Sequence, residues 1–320
     1  MKWWVVVTAI LGVGAAGTLM WWQWPREGGK FISPLGQIID KPLVKYSFER
    51  LKQKDYQGGE ISLGEDNKFF LTYEGKRVSG QVNIPSGKAP VGGWPVVIML
   101  RGYVDKEVYE TGIGTRKVAA ELAKNGLMTL APDFLGYGES DPENNDILEA
   151  RFEKIVTAMH LLKAACQIPQ ANCHKLAMWA HSNGGQIGLS VLAISGQMIP
   201  TTLWAPVSKP FPYNILYYSD DLDDRGKMIR KAVAEFEADY NVDEYSVTSY
   251  YDWIKAPMQI QQGTADDAVP KAWSDQLVKD LEQTMTDVTY HVYTGADHNL
   301  NPAWDTAVAR DIAWIKQHLK

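Results

Sequence analysis

The chain has 320 residues, a formal net charge of −6, 45% hydrophobic and 22% charged residues. That is the composition of an ordinary globular protein with a sizeable core, and it excludes collagen-like, low-complexity and disordered classes. The acidic balance argues against nucleic acid as a partner, because a phosphate backbone calls for a basic face; two cysteines are too few for a disulfide scaffold or a four-cysteine zinc site.

From Trp3 to Trp24 there is no charged residue. As a helix these 22 residues would span about 33 Å, close to the ~30 Å hydrocarbon core of a bilayer. Trp3 and Trp4 at one end, with Trp21, Trp22 and Trp24 at the other, make aromatic belts at both interfaces, and Pro25 ends the helix. The expectation is one N-terminal transmembrane helix over residues 1–25 that anchors the chain to a membrane. A cleaved signal peptide, with Gly14-Ala15-Ala16 as its small-residue site, is the rival reading. A two-residue N-terminal tail favours the globular part lying outside the cytoplasm, although Arg26, Lys30, Lys41 and Lys45 follow on that side against the usual charge bias. Residues 26–64 read as a polar neck, punctuated by Gly28-Gly29, Pro34, Pro42 and Gly58-Gly59.

From Phe69 the pattern changes. Strand-like runs at 69–73 and 78–84 flank Glu74-Gly75-Lys76, a hairpin signal. Val96 to Leu100 is a continuous apolar run, the mark of a strand buried on both faces. A helix over 115–125, a strand over 127–131, a helix over 147–165, a strand over 176–180 and a helix over 185–195 follow. Strands at 202–205 and 258–261, a helix at 271–283, a strand at 288–293 and a helix at 303–318 complete the alternation. It predicts a mainly parallel sheet, of the eight-stranded type, with helices on both faces. One insertion interrupts it, residues 207–255, rich in aromatics and without a strand; it reads as a mostly helical cap over the carboxyl edge of the sheet. Its aromatics either bury part of a ligand or form the cap's own core. Asp220-Asp221-Leu222-Asp223-Asp224 lacks the glycine and distal glutamate of a calcium loop and reads as an acidic start to a helix at 228–238.

Ala180-His181-Ser182-Asn183-Gly184-Gly185 follows a buried strand and opens a helix, the context a nucleophile elbow needs. Ala180 and Gly184 are the small residues two places either side of Ser182, so the first glycine of G-x-S-x-G is an alanine here. The plain alternative for Ser182 is a helix N-cap. Of six histidines, His160 and His318 fall in helices, His174 and His291 in strands, and His181 adjoins the serine. His298 alone lies in a loop after the last strand, placed to bring a base to Ser182. Asp266, three residues past Gly263, is the carboxylate that would orient it, with Asp267 as a turn or cap residue. The oxyanion donors expected are the backbone N–H groups of Asn183 and of Tyr103, in the loop after Leu100; the Tyr109 hydroxyl is an alternative second donor. Cys166 and Cys173 bracket a short loop and are placed to pin it as a disulfide in an oxidising compartment; two ordinary thiols are the alternative.

These residues resemble the α/β-hydrolase superfamily, and within it the catalytic domain of prolyl-oligopeptidase-type serine hydrolases and their dienelactone-hydrolase-like relatives. The likeness rests on His181-Ser182-Asn183-Gly184-Gly185, on Gly263 to Pro270 and on Gly295-Ala296-Asp297-His298, supported by Ala131 to Ser140, and it covers residues 65–320. It implies Ser182 as nucleophile, His298 as base and Asp266 as orienting acid, in the chain order of that fold. It implies a small ester or peptide as substrate, acyl-enzyme chemistry, and neither metal nor cofactor. Arg101 stands where histidine is common, and residues 26–64 are too few for the β-propeller that gates large oligopeptidases. An acyltransferase, or a membrane-anchored binding protein that kept the fold without activity, are the competing readings.

Overall fold

The structure is a computed structural model that describes residues 30–32, 38–57 and 59–320. The expected membrane helix, residues 1–25, lies outside the described residues; among those described, no helix is long and apolar enough to cross a membrane. The chain divides into two units, residues 1–47 and 48–320. In the first, a short antiparallel ladder pairs β1 (Lys30–Ile32) with β2 (Ile38–Asp40), and a 3-10 turn follows at Pro42–Tyr46.

The second unit starts earlier than the neck reading placed it. Phe48 and Leu51 are buried one turn apart on α1 (Phe48–Gln53), too short a stretch for periodicity to announce. β3 (Glu60–Leu63) then joins the main sheet as its edge, so there are nine strands rather than eight. β3, β4 (Lys68–Tyr73) and β5 (Lys76–Asn83) form an antiparallel meander. Its Glu74-Gly75 turn has positive φ at both residues, 49° and 75°, as a two-residue hairpin turn requires.

The remaining strands are β6 (Trp94–Leu100), β7 (Met128–Pro132), β8 (Ala171–His181), β9 (Thr201–Trp204), β10 (Met258–Gly263) and β11 (Val288–Tyr293). The sheet order is β11-β10-β9-β8-β6-β7-β5-β4-β3, with the first six parallel. Val96 to Leu100 are essentially inaccessible to solvent, as expected of an inner strand paired on both sides. The helices match the expected positions: α2 (Arg116–Lys124), α3 (Ile147–Ala164), α4 (Asn183–Ser195), and, after the cap, α7 (Lys271–Gln283) and α8 (Trp304–His318). Asp146 caps α3, accepting from the N–H groups of Leu148 and Glu149 at 2.9 and 3.0 Å. α4 is buried on almost every side, so it reads as an apolar, small-residue helix with no polar face.

The cap is less helical than expected. α5 (Tyr213–Leu216) is a single turn, α6 (Lys227–Asp239) is the one helix of length, and 3-10 turns at Val242–Tyr245 and Val247–Trp253 make up much of the rest. Asp224 accepts from the N–H groups of Gly226 and Met228 at the start of α6, the helix-start role expected of the acidic run. Phe211, Phe236 and Tyr245 close around Phe152 of α3, with centroids 5.3 to 6.0 Å apart for Phe152–Phe211, Phe152–Phe236, Phe152–Tyr245 and Phe211–Phe236. These rings are the cap's own core, whereas Tyr213 and Tyr217 stay exposed beside Trp273.

Cys166 and Cys173 are free thiols, the second of the two alternatives, and the possible disulfide is not formed. The two side chains nonetheless lie in hydrogen-bond contact; burial and the Cys173 thiol push the Cys166 thiol up to about 11, which keeps it protonated at neutral pH.

Candidate active site

Ser182 sits at the carboxyl end of β8 with φ 56° and ψ −121°, a conformation an L-residue adopts only under constraint. Three hydrogen bonds supply it: the Ser182 N–H donates to the Trp204 carbonyl (2.9 Å), and the Ser182 carbonyl accepts from Gly185 (2.9 Å) and Val207 (3.0 Å). Ser182 occupies the N-cap position of α4, but its hydroxyl makes no capping bond and is left for other work. The small residues around it answer to close approach. A Cβ on Gly184 would lie 2.0 Å from the Leu100 carbonyl oxygen, and one on Gly185 2.6 Å from Pro206 Cβ. Ala180 replaces a glycine at no cost because it faces Gly188, whose absent side chain leaves room for the methyl.

Asp266 and His298 meet as the sequence order requires. His298 Nδ1 lies 3.0 and 2.9 Å from the two Asp266 oxygens. Nδ1 therefore donates, leaving Nε2 as the basic nitrogen. The two loops are stitched together: the N–H of Thr264 donates to the Tyr293 carbonyl (3.0 Å) and that of Ala265 to the Ala296 carbonyl (2.9 Å). Gly263 permits this seam, since a Cβ there would fall 2.2 Å from the Ala296 oxygen. Asp266 also accepts from the N–H groups of Ala268 (3.0 Å) and Val269 (2.8 Å) and from Gln262 Nε2 (3.0 Å). Burial alone would raise its pKa; the His298 ring and these donors outweigh it and hold the carboxyl below the usual range. Asp267 makes none of these contacts.

Two supporting residues escaped the sequence. Gln262 is itself held by the Ser274 hydroxyl (2.7 Å), so its amide is aimed at Asp266. His181 donates from Nε2 to the His298 backbone carbonyl at 3.0 Å, and its ring lies 4.6 Å from that of His298. Burial, with the His298 ring beside it, lowers the His181 pKa to about 4, so it stays neutral and acts as a fixed donor. Position alone had marked it only as the neighbour of Ser182.

The loop after β6 passes directly over the nucleophile: a Cβ on Gly102 would be 3.0 Å from Ser182 Cβ. Arg101, unexpected at its position, is buried and anchors the loop by donating to the carbonyls of Gly102 and Asp133, each at 3.0 Å. Its guanidinium stacks near the rings of Tyr109 and Tyr137, 4.4 and 4.2 Å from their centroids. The Tyr109 hydroxyl donates to Asp133 Oδ1 at 2.6 Å, so it is committed to the scaffold and not to an oxyanion. Tyr103 and Asn183 both flank the nucleophile, the first through Gly102 and the second as the next residue in the chain. A separate cavity of about 630 Å³, lined by His181, Trp179, Trp204, Trp304 and the start of α2, does not include Ser182.

The sequence profile of the prolyl oligopeptidase family matches residues 116–320. The chain belongs to that family. It is a serine hydrolase of the α/β-hydrolase type. Solved structures with the same fold include esterase 2 of Thermogutta terrifontis (13% identity, TM-score 0.57), matched over 83% of this chain and 96% of that one. An acetyl xylan esterase from Paenibacillus sp. R4 (15% identity, TM-score 0.61) is matched over 83% and 91%. A puromycin-hydrolysing peptidase of Mycobacterium tuberculosis (16% identity, TM-score 0.61) is matched over 89% of this chain but 43% of its own. At such identities the likeness is one of fold. No curated protein sequence matches the chain.

Proposed function

We propose that this hydrolase cleaves a small carboxylic ester, and small activated amides more slowly, by a two-step acyl transfer at Ser182. His298 Nε2 takes the hydroxyl proton as Ser182 Oγ attacks the carbonyl, and Asp266 stabilises the imidazolium that forms. The oxyanion rests on the backbone N–H groups of Asn183 and Tyr103. His298 then protonates the leaving group, and water attacks the acyl-enzyme by the same route in reverse. The observation that carries the reading is the combination of a strained Ser182 (φ 56°) with an Asp266–His298 pair already formed on the same sheet edge. The ester preference draws on coverage: the esterase structures are matched over 91% to 96% of their length, the peptidase over 43%.

The test compares kcat/KM on an ester and an anilide of one acyl group, with Ser182→Ala as background. Ester turnover well above anilide turnover supports the proposal; comparable anilide cleavage marks a peptidase. Equal rates in wild type and Ser182→Ala on both substrates reject the mechanism. The uncharged, tryptophan-bordered segment from Trp3 to Trp24 supports membrane anchoring as a further part of the proposal, and the two-residue tail before it favours the hydrolase unit outside the cytoplasm. Retention of the full chain in alkali-washed membranes, with the hydrolase unit open to external protease, is the expected result.

A further inference from the structure

On the Asn183 side of the nucleophile, Arg151 and Lys154 lie close together with no carboxylate among the described residues paired to either; Glu143, the acid that acts on Lys154, is taken by Lys106. Arg151 and Lys154 lie three residues apart on α3 and so share a face. With Phe152, Asn183, Phe211 and Tyr245 they line a narrow pocket between α3, α4 and the cap. Arg151 Nη2 reaches Asn183 Oδ1 at 3.4 Å, a long contact to the residue after the nucleophile. Its Nε is buried and has no partner. Among the described residues no carboxylate pairs with Arg151 or Lys154, whereas nearby Lys106 is paired with Glu143 at 2.5 Å. Buried Arg101 adds a third cation a short distance away, and the one carboxylate beside it, Asp133, is occupied by the hydroxyls of Ser79, Tyr109 and Thr111.

The cost of this arrangement shows in Lys154. Burial, then the charges of Arg151 and Arg101, lower its pKa to about 7. The Tyr218 hydroxyl, buried without a partner, lies within electrostatic reach of Arg151 and of Asp266. What ties Arg151 to the site is its contact with Asn183, the residue after Ser182, and the pocket that both line. Both side chains are half-buried, and a buried, unpartnered Nε on one of them is a feature that pairing ordinarily removes; a chain with 38 acidic residues against 32 basic ones had carboxylates to spare.

We propose that Arg151 and Lys154 form an anion subsite that binds a carboxylate on the acyl part of the substrate, making the preferred substrate a half-ester of a dicarboxylic acid or an ester of an acidic residue. This rests on the reading of Ser182 as nucleophile. The acyl side is assigned because Arg151 contacts Asn183, which borders the oxyanion, while His298 stands on the leaving-group side. A planar guanidinium with a free Nε suits a two-oxygen anion, and the narrow pocket suits a carboxylate.

The test uses 4-nitrophenyl half-esters of glutaric, adipic and pimelic acids, each against its counterpart with the free acid capped as a methyl ester. Wild type should prefer the free acid at one chain length or more, by about tenfold in kcat/KM, chiefly through KM. Arg151→Met and Lys154→Met should each pull that ratio toward one, and Arg151→Lys should keep part of it. High salt on wild type should do likewise without any mutation, so the subsite stays testable if a variant fails to fold. A wild-type ratio at or below one for every length, with a neutral fluorophosphonate still labelling Ser182, overturns the subsite alone. No turnover of either ester and no labelling overturns the nucleophile assignment, and the subsite with it.

Discussion

On the His298 side of Ser182, the Asp266 carboxylate meets four donors: the His298 ring, two backbone N–H groups and the Gln262 amide. On the Asn183 side, Arg151 has a buried Nε without a partner and one long contact to Asn183, and Lys154 Nζ meets the Tyr137 ring at 5.7 Å rather than a carboxylate. The difference separates two tasks. A saturated network holds its geometry before, during and after reaction, as a base and its orienting acid must. An unsaturated one gains its partner only when substrate arrives, so its electrostatic energy is realised in binding. Under the proposed roles, polar satisfaction distinguishes reacting machinery from recognition surface.

The comparison breaks most sharply if the saturated side is cut. Ser182→Ala should lower kcat on an activated ester about 10⁴-fold or more, and Asp266→Asn about 10³- to 10⁴-fold, since the amide cannot both hold the Nδ1–H tautomer and balance an imidazolium. Steady-state kinetics with folded variants, checked by circular dichroism, measures both. Gly184→Ala attacks the scaffold instead: its methyl meets the Leu100 carbonyl at 2.0 Å, and a stability loss of about 3 kcal/mol or more should appear in the denaturant midpoint.

His181→Phe is gentler. It removes the donor to the His298 carbonyl but keeps a ring, and should reduce kcat about tenfold with KM little changed. It should also alter the acid limb of stability. His181 titrates near 4 when folded against 6.5 unfolded, so below pH 6.5 the unfolded chain binds the extra proton. Its contribution is whole above 6.5 and is lost as pH falls toward 4. Asp311, which burial raises to about 7, has the opposite slope between 7 and 3.8. The readable quantity is thus the difference between wild type and variant, which should flatten the fall by roughly 3 kcal/mol at most.

The smallest effect sharpens the other side. As pH rises through about 7, Lys154 loses its proton, and preference for the free-acid ester should drop about threefold. The remainder is held by Arg151. The charged groups acting on Lys154 are Arg151 on its own helix, Arg101 after β6, Lys106 and Glu143; Lys106→Gln should therefore move the midpoint upward. A ratio flat from pH 6 to 8 contradicts the role of Lys154.

Most of the sheet and its flanking helices was legible because buried parallel strands read as short apolar runs and their helices as longer periodic ones. Val96 to Leu100, the segment 271–283 and the segment 288–293 are cases where the boundaries agree within a residue or two. Of the candidate trio, chain order and loop position were enough to pair Asp266 with His298 and to put Ser182 at a tight strand-to-helix turn, because each follows a strand at a loop with small residues. What was missed depends on contacts between distant segments. β3 has only four residues, none of them buried, too short a run for its alternation to count, and it is a strand because β4 offers an edge. Arg151 and Lys154 look like ordinary charges on an amphipathic helix until the cap covers them. Gln262 and His181 matter through partners 12 and 117 residues away. The cysteine pair was legible as neighbours but not as to oxidation state, since spacing fits a disulfide and two thiols equally; the structure has two free thiols.

The central claim is that Ser182 is a nucleophile activated by His298. Intact-mass analysis after a neutral fluorophosphonate, followed by peptide mapping, tests it most directly. The account predicts one adduct, on Ser182, whose rate of formation falls at least about 10³-fold in His298→Ala. An unlabelled protein, a label on another residue, or equal labelling rates in wild type and His298→Ala would contradict it.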